Sequence, residues 1–407
     1  MTVIRCITLS VSLSPGDCNQ PDILHSKIQE AKQLCDMLKM ELETSYQVQT
    51  VRLAFNPIEE FIDFKQGRVI AIREVELLSQ YLESFGFEFV SLGPLRTPDY
   101  FEYAADIVAV SKCINLSVSM DDRAFDSDAS LLCAQAVLSV GAVDPNNSFR
   151  FAIAANVKSG TPFFPVAFFE SNETKRFSVG LETTDLLENV WNKQDWASMP
   201  TGKVLTAFKE ELVREYRETL MPLQKLCLAT NSSVQFQGID ASMNPEAVYN
   251  QTETGINIGV LYKKLLTILS GDSKYFGDSG SMTISYLITS SIHEASLGIA
   301  LCGYSGLMLP LLEDKGLAEA AIKGRCGVNT LLLNSCVCGV GIDTVPISST
   351  DVTDKTISMV ILDLVSLSCK WAKPLSCRFL PTAGKSGELT QISDNPFLCN
   401  SRILPLV

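Results

Sequence analysis

A regular alternation of short apolar strands with amphipathic helices runs from Val3 to Leu380, and no other feature limits the fold as much. Val3–Leu13 (VIRCITLSVSL) alternates apolar with small polar residues, the period of a strand, and Ser14-Pro15-Gly16-Asp17 ends it. Residues 20–42 then carry Ile23, Leu24, Ile28, Ala31, Leu34, Met37 and Leu38 at helical spacing. The rhythm predicts further strands over 48–55, 87–92, 114–120, 150–157, 176–181, 233–240 and 374–380. It predicts helices over 68–85, 100–110, 129–140, 203–229, 256–269, 280–293 and 354–369, and an aromatic extended run over 162–169 (PFFPVAFF). Such alternation implies an α/β fold with a mostly parallel sheet, open or closed into a barrel. There is no Ser/Gly-rich linker and no internal repeat, so residues 1–407 read as one elaborated domain.

Composition excludes several classes of function. Hydrophobic residues make up 46% and charged ones 19%, enough apolar material for a large core and too little charge for disorder. A net charge of −13 argues against nucleic acid and anionic membrane, both of which need basic faces. The most apolar segment, Leu297–Leu312, is broken by Gly298, Gly303, Gly306 and Pro310 and is too short to span a bilayer. Thirteen cysteines, an odd number, lie scattered, and the stretch MTVIRCITLS lacks the basic run, continuous apolar segment and small-residue cleavage site expected of a secretory leader. Free thiols and a cytoplasmic location are therefore the expectation.

Candidate chemistry gathers where polar residues follow or interrupt apolar runs. Leu331–Pro346 reads LLLNSCVCGVGIDTVP: an apolar run, two cysteines, Gly-Val-Gly, then Asp343 and Thr344. The glycines let the backbone turn and let a cofactor or ligand approach, so Gly339, Gly341 and Thr344 are candidate contacts. The same stretch also reads as a tight connection between two core elements, with Asp343 capping the next turn. Asp240 ends SVQFQGID, Arg378 lies inside the last strand, and Lys385 follows it in PTAGKSGE. At the carboxyl ends of strands these groups could share one cavity. Asp240 and Asp343 would then supply acid-base groups or metal ligands, and Arg378 and Lys385 would hold an anionic substrate. Hard carboxylate ligands would select magnesium, manganese or calcium over zinc. A functional Asp343 should sit partly solvated at the cavity lip, and Cys338 is the candidate nucleophile.

Each of these residues has a plainer reading. Arg378 could be an internal ion-pair partner of Asp343. Glu313-Asp314 could open a helix. Lys385 could be solvated, Cys338 a small packed hydrophobe, and Asp240 the residue that fixes the following turn. The aromatics of 162–169 could be core or a subunit contact. Motif look-alikes fail on position: Leu297 stands where a zinc-protease helix needs its second histidine, and Phe379 where a phosphate loop needs its first glycine. Thr344 stands where a dinucleotide fingerprint needs its third glycine, and Cys336-Val337-Cys338 lacks further zinc ligands.

Several stretches together resemble one family: IRCITLSVSL, FEFVSLGP, FRFAIAANVKSGTPFFPVAFF, GIDASMNP, GYSGLMLPLLED, LLLNSCVCGVGIDTVP and RFLPTAGKSGE. They are similar to the family catalogued as domain of unknown function 711, over the whole chain. The resemblance implies a pyruvate formate-lyase-like, ten-stranded α/β barrel related to the glycyl-radical enzymes. It does not imply their radical, because the tail FLCNSRILPLV lacks the radical glycine and Val337 separates the cysteines. Two classes of function follow. One is a non-radical enzyme of lyase, isomerase or hydrolase type acting on a small polar or anionic metabolite in the barrel mouth. The other is a ligand-binding regulatory protein on a catalytically silent barrel. The partners expected are a small-molecule ligand and, through the aromatic run, a second copy of the chain as a homo-oligomer.

Overall fold

The computed structural model describes residues 3–170, 175–230, 233–245, 256–392 and 395–406. Its strands are β1 (Val3–Val11), β2 (Gln47–Phe55), β3 (Val90–Leu95), β4 (Ile114–Ser119), β5 (Phe151–Ala155), β6 (Arg176–Glu182), β7 (Gln235–Asp240), β8 (Gly341–Ser348) and β9 (Leu375–Thr382). Between them lie the helices α1 (Pro21–Leu42), α2 (Arg68–Ser84), α3 (Ala104–Val110), α4 (Ser127–Val143), α5 (Thr184–Asn192) and α6 (Thr201–Ala229). The second half adds α7 (Ile258–Ser270), α8 (Ser281–Ala295), α9 (Lys315–Ile322), α10 (Val328–Ser335) and α11 (Asp354–Trp371).

The nine strands form one mostly parallel sheet in the order β7-β6-β1-β2-β3-β4-β5-β9-β8. Strands β1 to β5 run parallel, as do the pairs β6–β7 and β8–β9. Two antiparallel seams, β1–β6 and β5–β9, join the groups, so β6 to β9 point opposite to β1 to β5. Residues 301–310 add bridges to both edge strands: Leu301 and Leu307 pair with Ile239 and Met243 beside β7, and Pro310 pairs with Asp343 on β8.

Alternation along the strands gives the two faces different chemistry. Ile7 and Leu9, Leu116 and Val118, Phe177 and Val179 turn to the helices and join the main core. The residues between them are small or polar, and buried: Thr8, Ser91, Ser117, Ser178 and Ser376. A face so poor in bulk needs filling, and residues 157–170 fill it. Gly160 O accepts from Ser178 Oγ at 2.6 Å, Ala167 O accepts from Ser91 Oγ at 2.6 Å, and Phe169 N donates to Phe55 O at 3.1 Å. Phe164 packs with Ala54, Ala167 and Phe169, so the aromatic run is core.

The strand-helix rhythm is as expected, but the 331–346 stretch is not. Leu331–Ser335 is the end of a helix, and Gly341–Ser348 is a full strand, every residue buried. Asp343 and Thr344 therefore sit inside a strand rather than at a strand-end tip or a turn. The register of β8 on β9 shifts between Ile342 and Val345, so these two residues form a bulge, with Thr344 at φ 45°. Bulges re-aim side chains, and this one turns Asp343 to the polar face.

All thirteen cysteines are free thiols. Titration of the unreduced, denatured protein should count about thirteen thiols, and a count several short that reductant restores would contradict this arrangement.

Candidate functional site

Two charged residues that each interrupt an apolar run meet inside the fold. Arg378, on β9 and 4% exposed, donates from Nε to Asp343 Oδ1 at 2.7 Å and from Nη2 to Glu313 Oε1 at 2.6 Å. Its Nη1 donates to Phe149 O at 3.1 Å, and its guanidinium lies over the rings of Phe149 (4.7 Å) and Phe163 (5.6 Å). All three nitrogens are thus held by the protein, so Arg378 has no free fork for a substrate and is the ion-pair partner instead. Burial pulls its pKa down, but the two carboxylates outweigh that and raise it. Burial pushes Glu313 up, with Arg378 opposing.

Asp343 is 2% exposed, not at a solvated lip, because the bulge places it within the sheet. Its Oδ2 is buried and has no hydrogen-bond partner among the described residues. Nearby, Tyr304 donates from its hydroxyl to Ser376 Oγ at 2.8 Å and sets its ring edge-on to Phe163. Tyr304 also ties this group to Asp240, whose Oδ2 accepts from Tyr304 N at 3.3 Å.

Asp240 is occupied by its own loop. Oδ1 accepts from Ser242 N (3.0 Å), Ser242 Oγ (2.5 Å) and Ser305 N (3.1 Å). The loop can wrap it because Gly303, at φ 64°, has no side chain: a Cβ there would lie 2.1 Å from Asp240 Oδ2. Burial raises the Asp240 pKa and these bonds oppose the rise. Asp240 is a turn-fixing residue.

The other expected residues take no part in the triad that Arg378 forms with Asp343 and Glu313. Lys385 is exposed on a turn, its backbone N donating to Glu388 Oε2 at 2.8 Å, whereas Asp343 is buried. Cys338 is fully buried, burial raises its pKa, and its carbonyl is capped by Lys373 Nζ. A thiol so placed is a packed hydrophobe rather than a nucleophile. Gly339 and Gly341 serve strand contact: a Cβ on Gly341 would lie 2.4 Å from Ser376 O, and Gly339 N donates to Leu307 O at 2.6 Å. Thr344 Oγ1 accepts from Leu312 N at 3.3 Å, so it too is turned to the protein. Among the described residues no group of three or more His, Cys, Asp or Glu side chains is arranged to hold a metal ion.

Glu313 and Asp314, adjacent in sequence, separate in role. Asp314 caps α9 through Gly316 N and Leu317 N (2.9 and 3.0 Å) and also accepts from Ile258 N and Gly259 N of α7 (3.0 and 3.2 Å). Glu313 belongs to the triad, which reading the pair as a helix start misses. The available signal was pairwise: an acid closing the apolar run GLMLPLL and a base within PLSCRFL each require a counter-charge if buried.

Two predictions follow from this geometry. Arg378→Gln leaves two carboxylates buried without a cation and should cost about 3–5 kcal/mol in urea unfolding. Asp343→Asn leaves the Arg378–Glu313 pair intact and should cost only about 1–2 kcal/mol; equal losses would contradict a shared guanidinium. Separately, burial, opposed by its backbone bonds, pushes the Asp314 pKa up to about 6. An acid raised in the folded state binds more protons folded than unfolded, so its contribution is present below its ordinary pKa near 3.8 and lost as pH rises through 6. The loss is about 3 kcal/mol. Asp314→Asn should remove that downward slope of stability between pH 4 and 6.

Residues 1–393 match the model of the family described as Uncharacterised ACR (DUF711). A UPF0210 protein of Pyrobaculum arsenaticum is 23% identical, over 94% of this chain and 85% of its own. A UPF0210 protein of Methanopyrus kandleri is 22% identical over 94% and 86%, and one of Lacticaseibacillus paracasei 22% over 67% and 58%. With nearly the whole length matched, including the strands that carry Asp240, Asp343 and Arg378, the chain belongs to the DUF711 family.

Proposed function

We propose that the chain is a single domain closed into a ten-stranded α/β barrel, and that its interior takes a small polar metabolite against Asp343 for non-radical acid-base chemistry. Closure is supported by residues 301–310, which bridge β7 and β8 and would stand as the tenth, irregular strand. In a closed barrel the small polar face becomes the interior, with residues 157–170 folded into it. A carboxylate held in a fixed position can serve as the proton acceptor in lyase, isomerase or hydrolase chemistry.

One observation carries the site. Asp343 Oδ2 is buried with no donor among the described residues, while Oδ1 is held by Arg378. Buried carboxylate oxygens in folded proteins almost always have a partner, so an O–H or N–H of a ligand is the natural donor here. Tyr304, Ser376 and the ring of Phe163 surround this group and would orient such a ligand. Arg378 and Glu313 act as positioning residues that keep Asp343 in place.

The test is a thermal-shift screen of small hydroxy acids, amino acids and sugars. A ligand at a hundred times its Kd adds about 2.7 kcal/mol to the native state. Asp343→Asn, which keeps the Arg378–Glu313 pair, should weaken a hit by tenfold or more. Following the hit by NMR with wild-type protein then separates an enzyme, which converts it, from a silent binding protein. A screen in which no hit depends on Asp343 would overturn the reading.

A further inference from the structure

The side of the polar face away from Arg378 carries two arginines whose charge no described residue neutralises. Arg5 is on β1 and Arg52 on the neighbouring β2, and both are half-buried. The pairing of β1 with β6 shifts register between Ile4 and Cys6, so Arg5 occupies a bulge. Cys6, Thr8, Thr50 and Arg52 share the polar face, since Cys6 pairs with Thr50 and Thr8 with Arg52.

Thr50 links the pair: its hydroxyl donates to Arg5 O at 2.8 Å and accepts from Arg52 Nε at 2.9 Å. The Arg52 guanidinium lies over the rings of Phe89 (4.9 Å) and Phe164 (5.2 Å). Phe164 is next in sequence to Phe163, over which Arg378 lies, so the aromatic run separates Arg52 from the triad. Arg5 is near enough to oppose the rise of the Glu313 pKa across this space.

Among the described residues neither guanidinium is within 4 Å of a carboxylate, whereas the buried Arg378 has two. Buried or half-buried arginines are ordinarily paired, and two placed together repel. Among the described residues the Nη groups of Arg52 and the fork of Arg5 have no acceptor, whereas Arg52 Nε is taken by Thr50. Planar forks of this kind match the two oxygens of a carboxylate or phosphate.

We propose that Arg5 and Arg52 form an oxyanion-binding subsite for a carboxylate or phosphate group of a small metabolite. It rests on the interior site proposed above, and gives the ligand two ends: an oxyanion on Arg5 and Arg52, and an O–H or N–H donor toward Asp343.

Inorganic phosphate and malonate are the probes, each titrated into the full chain at ionic strength matched with sodium chloride. Either probe should raise the melting temperature by a few degrees at saturation. The probe with the larger shift assigns the group as phosphate or carboxylate. Arg5→Gln and Arg52→Gln should each weaken the probes at least tenfold, with folding checked by circular dichroism. Arg5→Lys and Arg52→Lys keep the charge but not the fork, and should lose about fivefold. Where a glutamine variant does not fold, its lysine variant decides. Wild-type shifts no larger than those of sodium chloride overturn the subsite, as does wild-type probe affinity in the folded variants. If the probes fail while a ligand that depends on Asp343 still binds, only this subsite falls; if both fail, the interior site falls with it.

Discussion

A single guanidinium shared by two carboxylates holds the second half of this fold together. Arg378 comes from β9, Asp343 from β8 and Glu313 from the segment that enters α9, and the carbonyl of Phe149 adds the approach to β5. Desolvating three charges is costly, and only mutual attraction with tight hydrogen bonds offsets it. The arrangement is therefore intolerant of small shifts. It fixes the bulge in β8, because Asp343 reaches Nε only if the strand gains a residue there. It also fixes where residues 301–313 run, since Glu313 must arrive at Nη2. Phe149 covers the outer face of the guanidinium and stacks on Phe397 of the C-terminal segment, so that segment shields the charges.

Two carboxylates on one cation leave the triad negative, and two arginines across the polar face leave that side positive. The fold thus holds a separated pair of charge clusters with an aromatic run, Phe163 and Phe164, between them. Apolar rings lower the local dielectric and lengthen the reach of each cluster. A ligand with one anionic and one donating end would find both ends answered, whereas a neutral ligand could answer only the Asp343 end.

The strand-helix alternation was readable because each element keeps its own period: 2.0 in Thr8 to Val11, 3.6 in Leu24 to Leu38. What failed was the 331–346 stretch. Leu331, Leu332 and Leu333 read only as an apolar run, because three apolar residues carry no period, and they lie in α10. Asp343 and Thr344 look like a turn because polar residues rarely occupy a buried strand, and nothing local announces Arg378, 35 residues on. Asp240 was found as an important carboxylate, yet its role as a loop anchor depends on Gly303, Tyr304 and Ser305, which reach it only in three dimensions. Glu313 was hidden by its neighbour, since Asp314 alone satisfies the helix-start pattern. Arg5 and Arg52 pass unnoticed because a lone arginine in a strand is ordinarily solvated.

The two antiparallel seams have a consequence for how the chain reaches this state. Strands β1 to β5 can pair one after another, each crossover returning to its neighbour. The seams cannot form that way: Val3 meets Glu182 and Ile153 meets Cys377, partners far apart along the chain. Loop-closure entropy must be spent on both before either is rewarded by packing. Until β6 arrives, β1 is an open edge, and until β9 arrives so is β5, each an apolar strand with unpaired backbone groups. Folding should therefore be slow and intermediate-rich, with the first five strands assembled as a half-sheet that waits, edges exposed, for the rest of the polypeptide.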